Sequence, residues 1–244
     1  MKRVLSMALT ASLMSSAAMA FEITGGSLVL TQNTFYGENP VDYLDQTDVQ
    51  GTLAYSISPV LGAQIGLSAG HYADQTGYVN GDAHLTYAVA PDVTLGAFIG
   101  RESYEYSDTS GEDVYVTFGL EAAQTKNALT VQVAVLSTKG IGEASYYSAT
   151  SLVIDAVYGL NDHISLTGGL HFMNHSTAST AAYTDRYAYI GADYAVTPKL
   201  ALNVRYGLRN DGTYQPTILT LGLTYKFHKP AVFQQRNFNS ILPG

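Results

Sequence analysis

The chain of 244 residues contains no Cys, so an exported protein of this size forgoes disulfides and needs another source of stability, of which a closed hydrogen-bonded barrel is one. Only 13% of its residues are charged, about half of the ~25% usual in soluble domains, and no later apolar run has helix-spanning length. Removing Lys2 and Arg3 from the 12 basic and 20 acidic residues leaves 10 against 20, a balance that argues against nucleic acid as a partner and favours a solvated acidic rim or divalent-bridged lipopolysaccharide.

The chain opens "MKRVLSMALTASLMSSAAMA": two basic residues, a short apolar stretch, then Ala18-Met19-Ala20 ahead of Phe21. These are the three parts of a secretory signal peptide with an A-x-A cleavage site. Residues 1–20 are therefore set aside, with cleavage expected near Ala20.

Beyond Phe21, period-2 alternation marks twelve candidate strands: 23–35, 47–57, 61–72, 78–89, 93–105, 113–123, 129–138, 148–160, 164–174, 184–196, 200–209 and 217–227. Most have the ~9–11 residues that suffice for a tilted transmembrane strand. The connections alternate in kind. Short turns "SPV", "APD", "NDH" and "TPK", with a less regular one around "QTKNA", interleave with longer polar loops such as "YGENPVDYLDQ" and "RNDGTYQP". That asymmetry predicts an even-stranded antiparallel barrel with both termini on the short-turn side.

Several strand ends share a pattern. "LAYSIS", "LTYAVA", "AVYGLN", "ADYAVT" and "LTYKFH" place Tyr55, Tyr87, Tyr158, Tyr194 and Tyr225 near the short turns, and "TFGLEA" offers Phe118. Aromatics recurring at one height on alternate strands read as a girdle at a membrane interface. Carrying the parity through puts Leu53, Leu67, Leu85, Leu120, Val135, Leu170, Leu202 and Leu221 on a lipid face. The opposite parity gives a polar lining that includes Asp82, His84, Glu121, Asp155, His171, Asp193, Arg205 and Lys226. Lipid on one side and lumen on the other explain why so few strand positions carry charge. A soluble periplasmic sandwich or ligand-binding barrel shares the alternation, but its turns need not alternate in length.

On these features the chain resembles the Gram-negative outer-membrane barrels, and more loosely the porin family of such bacteria. The resemblance covers residues 21–227 and rests on the signal peptide, the alternating strands, the "LxYxV" endings and the final strand "TILTLGLTYKF". It implies an all-β, up-and-down transmembrane barrel in the cell outer membrane, whose closing aromatic Phe227 is read by the barrel-assembly machinery. The chain departs from the pattern in continuing "HKPAVFQQRNFNSILPG". Pro230 stops the strand, and residues 228–244 form a tail on the periplasmic side. Two readings of that tail are open: a mobile terminus, or docking of Phe233, Phe238, Ile241 and Leu242 onto a partner or into the barrel mouth.

Twelve strands fall between the side-chain-filled barrels of ~8 and the aqueous porins of ~16. Gly66, Gly96, Gly100, Gly119, Gly169, Gly191 and Gly222 share the inward parity, which predicts room for a narrow open channel. Glu121, Asp155 and Asp193, with Arg205 diagonal to Asp193, predict a belt with more acid than base and a mild cation preference. Small twelve-stranded pores that pass acidic sugars resemble this chain in length but are expected to have a strongly basic lumen, so that substrate is not carried over.

The expected function is passive diffusion of small hydrophilic solutes, without enzymatic activity and with no cofactor or metal implied. A non-conducting structural or adhesive barrel is the alternative, for which Tyr104, Tyr106, Tyr146 and Tyr147 would supply loop contacts. A hydrolase is a weaker reading, since it needs a nucleophile, a His and an orienting group together. His163 with Ser165, His175 with Ser176, and a rim grouping of His71, Asp74 and Asp185 are its candidates. The loop from Asp108 to Asp113 has carboxylates and Gly111 but lacks the spacing of a calcium loop.

Overall fold

The computed structural model describes residues 22–37, 45–73, 76–106, 111–177, 182–228 and 231–234. Among them twelve strands follow one another: β1 Glu22–Tyr36, β2 Gln46–Ser56, β3 Leu61–Tyr72, β4 Gly77–Ala90, β5 Val93–Glu105, β6 Glu112–Lys126, β7 Leu129–Ile141, β8 Tyr147–Gly159, β9 Ile164–Thr177, β10 Tyr183–Ala195, β11 Leu200–Asn210 and β12 Thr217–His228. Each pairs antiparallel with its neighbours in sequence. The sheet closes where β1 meets β12, from Gly26↔Phe227 to Tyr36↔Thr217. Closure removes the unpaired edges that a membrane would leave unsatisfied.

Local chemistry sets the short turns. Ser58 Oγ accepts the Leu61 N–H at 3.1 Å, and Thr197 Oγ1 accepts the Leu200 N–H at 3.0 Å. Asn161 Oδ1 accepts the N–H groups of both His163 and Ile164 at 2.9 Å. A polar side chain thus replaces the missing ladder partner in three of these turns. The "QTKNA" turn is tighter. Lys126 pairs directly with Leu129, leaving Asn127 and Ala128 as the loop, and Asn127 takes φ 56°, a left-handed conformation that Asn tolerates well in two-residue hairpins.

The alternation sorts side chains onto two faces. Outward positions are aliphatic and exposed, up to Leu120 at 69% and Ile190 at 71%, an apolar wall that water would penalise and lipid does not. Inward positions are polar and mostly buried, including Gln50, Thr52, Gln64, Asp82, Glu121 and Asp155. The fold is a closed, up-and-down antiparallel barrel with an apolar outer wall and a largely polar interior.

Candidate functional site in the barrel interior

Midway along the wall, β4 carries His84 between two carboxylates. Its Nδ1 lies 2.5 Å from Glu121 Oε1 on β6, and its Nε2 lies 3.1 Å from Asp82 Oδ1 on its own strand. All three side chains are sealed from solvent. Carboxylate oxygens accept, so the imidazolium form of His84 donates to both and places one positive charge between two negative ones.

A second group forms across β8, β9 and β10. Asp155 Oδ1 receives His171 Nε2 at 2.9 Å and the Tyr189 hydroxyl at 3.0 Å, while the Arg205 guanidinium lies 5.7 Å from the centre of the Tyr189 ring. Asp193 and Arg205 occupy diagonal positions on β10 and β11, as the spacing predicts, because Asp193 pairs with Asn203 and Gly191 with Arg205. The Asp193 carboxylate accepts from Asn203 Nδ2 at 2.7 Å, and Asn203 Oδ1 in turn accepts from Thr224 at 2.8 Å.

Five of the seven inward glycines do not leave open space as expected, while Gly100 would take a Cβ at ordinary contact, 3.5 Å from Asp82 Cβ. A Cβ at Gly66 would fall 2.5 Å from Asp82 Oδ1, and one at Gly96 would fall 2.7 Å from a Phe233 ring carbon and 2.8 Å from Glu121 Cγ. Gly119 lies under Phe98, Gly169 under Tyr189 and Gly191 under Arg205. The room is taken by side chains and backbone of adjacent strands and, at Gly96, by the tail. Parity identifies which positions point inward, but it does not say whether solvent or a neighbouring ring fills the space beside them.

Toward the loop end the lining becomes aromatic. Ring centroids run from Tyr72 to Tyr78 at 5.9 Å, Tyr78 to Tyr104 at 5.8 Å, Tyr104 to Tyr115 at 5.9 Å, Tyr115 to Tyr147 at 5.5 Å and Tyr147 to His175 at 5.7 Å. His175 then stacks on Tyr183 at 4.4 Å. Tyr104 and Tyr147, expected in outer loops, lie inside on β5 and β8, since both strands carry their alternation to the loop end; Tyr106 and Tyr146 are exposed. Beside the arc, Arg209 Nε and Nη2 both donate to Asp185 Oδ2, at 3.0 and 2.7 Å.

Among the described residues, His175 with Ser176 and His71 with Asp185 do not come together. His175 is buried and bonded to the Tyr147 hydroxyl, whereas Ser176 is exposed on the opposite face. His71 is exposed outward and Asp185 is buried inward. His163 sits at a short turn, its Nδ1 3.2 Å from the Ala195 carbonyl. Asp74 and Asp108 lie outside the described residues.

On the outer wall, Tyr87, Tyr158, Tyr194 and Tyr225 are exposed and Tyr55 is half-buried. Their partners Leu95, Leu166, Leu202, Leu200 and Ala63 all stand near short turns. Phe118 does not share that level. It pairs with Ile99 and Ser137, and β6 runs on to Lys126 before turning. The position on β6 opposite Leu95 is Ala122. "TFGLEA" looks like a strand end only because the small residues Ala122 and Ala123, which continue the ladder, weaken the alternation.

The described part of the tail, residues 231–234, enters the short-turn mouth. Gln64 Nε2 donates to the Phe233 carbonyl at 2.7 Å, and Gln64 Oε1 accepts the Phe233 N–H at 3.3 Å. Gln132 Nε2 donates to the Val232 carbonyl at 2.8 Å. Phe233 is 2% exposed. Of the two readings of the tail, docking in the mouth is the one these residues adopt; Phe238, Ile241 and Leu242 lie outside the described residues. A cavity of about 470 Å³ remains beside it, lined by Gln50, Thr52, Asp193, Arg205 and Lys226 as well as Val232 and Phe233.

No protein-family model matches the chain, and no curated protein matches it. Solved structures do. An outer-membrane channel from Pseudomonas putida F1 aligns with a TM-score of 0.61 at 15% identity, over 87% of this chain and 98% of that one. The KdgM porin, in complex with disordered oligogalacturonate, aligns with a TM-score of 0.59 at 12% identity, over 83% of this chain and 99% of that one. The translocator domain of the autotransporter NalP from Neisseria meningitidis gives 0.54 at 11% identity, over 93% and 95%. At such identities the likeness is one of architecture, and the chain has the architecture of the outer-membrane porin and channel barrels.

Proposed function

We propose that the protein is an outer-membrane channel for passive diffusion of small hydrophilic solutes, with a mild cation preference. The observation that carries this reading is a cavity of about 470 Å³ at the short-turn mouth, bordered by Gln50, Thr52, Asp193, Arg205 and Lys226 as well as apolar groups, held inside a wall whose outer face is apolar. A lumen lined by hydrogen-bonding groups lowers the cost of moving a polar solute out of bulk water. The neighbours that are channels, from Pseudomonas putida F1 and KdgM, support it.

In this reading Asp193, Arg205 and Lys226, which border the cavity, line the path, while Asp82, His84, Glu121, Asp155 and His171, expected beside them, are packed into the barrel interior and act on a solute only through their charge. Interior carboxylates at Asp48, Asp82, Glu102, Glu121, Asp155, Asp185 and Asp193 outnumber the bases Arg205, Arg209 and Lys226, which favours cations. His84 tempers that preference by neutralising one of the two charges it bridges. An interior with this balance is a poor match for a polyanionic sugar such as the oligogalacturonate bound to KdgM. Tyr55, Tyr87, Tyr158, Tyr194 and Tyr225 act as the interfacial girdle toward lipid and lipopolysaccharide.

Single-channel recording of the refolded protein in a planar bilayer under a salt gradient tests the proposal. Discrete conductance steps with a cation-positive reversal potential are expected. A folded barrel that never conducts would sink it and shift weight to a structural or adhesive barrel, for which the buried aromatic arc at the loop end is the favouring observation.

A further inference from the structure

Phe233 is an apolar side chain in a polar interior, and four features of the wall are shaped around it. Gln64 bonds both its backbone N–H and its carbonyl, at 3.3 and 2.7 Å, as a neighbouring strand would. Gln132, on the other side of the mouth, holds the preceding carbonyl at 2.8 Å. The third feature is Gly96, where any Cβ would meet the Phe233 ring at 2.7 Å.

The fourth is the His84 imidazole, fixed edge-on by Asp82 and Glu121. Phe98 of the wall stacks on it at 5.3 Å, and Phe233 of the tail stacks on it at 6.2 Å with planes 8° apart. Two phenyl rings thus share one positioned imidazole, an arrangement favoured both by dispersion and by the ring quadrupoles. Only one of those rings belongs to the barrel. Residues 229 and 230 alone separate the seated segment from the end of β12, so docking is intramolecular at high effective concentration, while the contacts of the described residues that hold it are three hydrogen bonds and a ring stack, a grip weak enough to open locally.

We propose that residues 231–234 are a reversible plug of the short-turn mouth, anchored by Phe233 in the site formed by Gln64, His84, Gly96 and Phe98, and that the channel conducts fully when this segment withdraws. The inference rests on the channel reading given above. The segment stands in the mouth that the solute path requires, since Val232 and Phe233 form part of the lining of the cavity there together with Arg205 and Lys226.

The test uses the whole chain, whose lack of native Cys permits a clean pair of introduced thiols. Gln132→Cys with Val232→Cys is treated with a short cleavable thiol crosslinker in the membrane-embedded protein, and conductance is recorded before and after cleavage. In parallel, Phe233→Ala is recorded without crosslinking, with folding checked by circular dichroism. The plug predicts efficient crosslinking, low conductance in the linked form, a several-fold rise on cleavage, and a similar rise for Phe233→Ala.

Failure to crosslink in folded protein overturns the docking. Equal conductance in linked and cleaved forms, with Phe233→Ala unchanged, overturns the plug and leaves the channel standing. If linked, cleaved and Phe233→Ala proteins are all folded and none conducts, the channel reading fails and the plug falls with it.

Discussion

His84 on β4 contacts Glu121 on β6, Nδ1 to Oε1 at 2.5 Å, across the intervening strand β5 at Gly96. The contact is possible because Gly96 has no side chain: a Cβ there would stand 2.8 Å from Glu121 Cγ. Gly96→Val is therefore expected to overpack the site and destabilise the barrel by about 1–3 kcal/mol. A lowered urea midpoint for unfolding from lipid vesicles checks this, and an unchanged midpoint contradicts it.

His84 itself is the shared partner of two sealed carboxylates. His84→Ala leaves both buried without their counter-charge, and breaking a buried pair in this way costs about 3–5 kcal/mol. Adding Asp82→Asn and Glu121→Gln to the His84→Ala protein is expected to recover much of the loss, since no uncompensated charge then remains. Equilibrium unfolding of the single and triple variants measures the difference; a triple variant weaker than the single one refutes the account.

Asp185 is fully buried while its partner Arg209 is 25% exposed. Arg209→Ala strands the carboxylate, with an expected loss of about 3 kcal/mol, toward the low end for buried pairs because water reaches the guanidinium. Arg209→Lys retains the charge but not the two-nitrogen grip on Asp185 Oδ2, so it should fall between wild type and Arg209→Ala. Reversal of that order in urea titrations would count against the assignment.

The outer wall makes a depth-dependent prediction. Leu120 lies mid-strand on β6 and is 69% exposed, whereas Leu129, 41% exposed, begins β7 immediately after the turn. Leu120→Arg should destabilise the membrane-inserted barrel by about 2–4 kcal/mol and Leu129→Arg by ~1 kcal/mol or less. Folding titrations into phosphatidylcholine vesicles separate the two. Equal costs would mean that the lipid band is not centred where the register puts it.

Architecture and facing were legible from the residues. A strand's side-chain period of two forces every residue onto one of two faces, so the parity that put Leu120 and Leu202 outward and Asp82 and Asp155 inward holds in the structure. Strand limits agree closely, for instance at 61–72 and 93–105, because Pro, Asp, Asn and Ser mark turns by local chemistry. Phe118 was misplaced because Leu120 is the last large apolar residue of β6, and the strand runs on through Ala122, Ala123 and the polar Gln124, Thr125 and Lys126 before it turns.

What only the tertiary structure decided is how the interior is occupied. Whether the space beside Gly96 or Gly169 holds water or a side chain depends on partners on the adjacent strands and, for Gly96, on Phe233, more than a hundred positions along the chain. Period and propensity act over a few residues. Barrel closure brings together side chains remote in sequence, so the seating of Phe233 of the tail on His84 was a property of the closed ring of strands, while the ring itself, its apolar wall and its polar lining were already determined by the order of the residues.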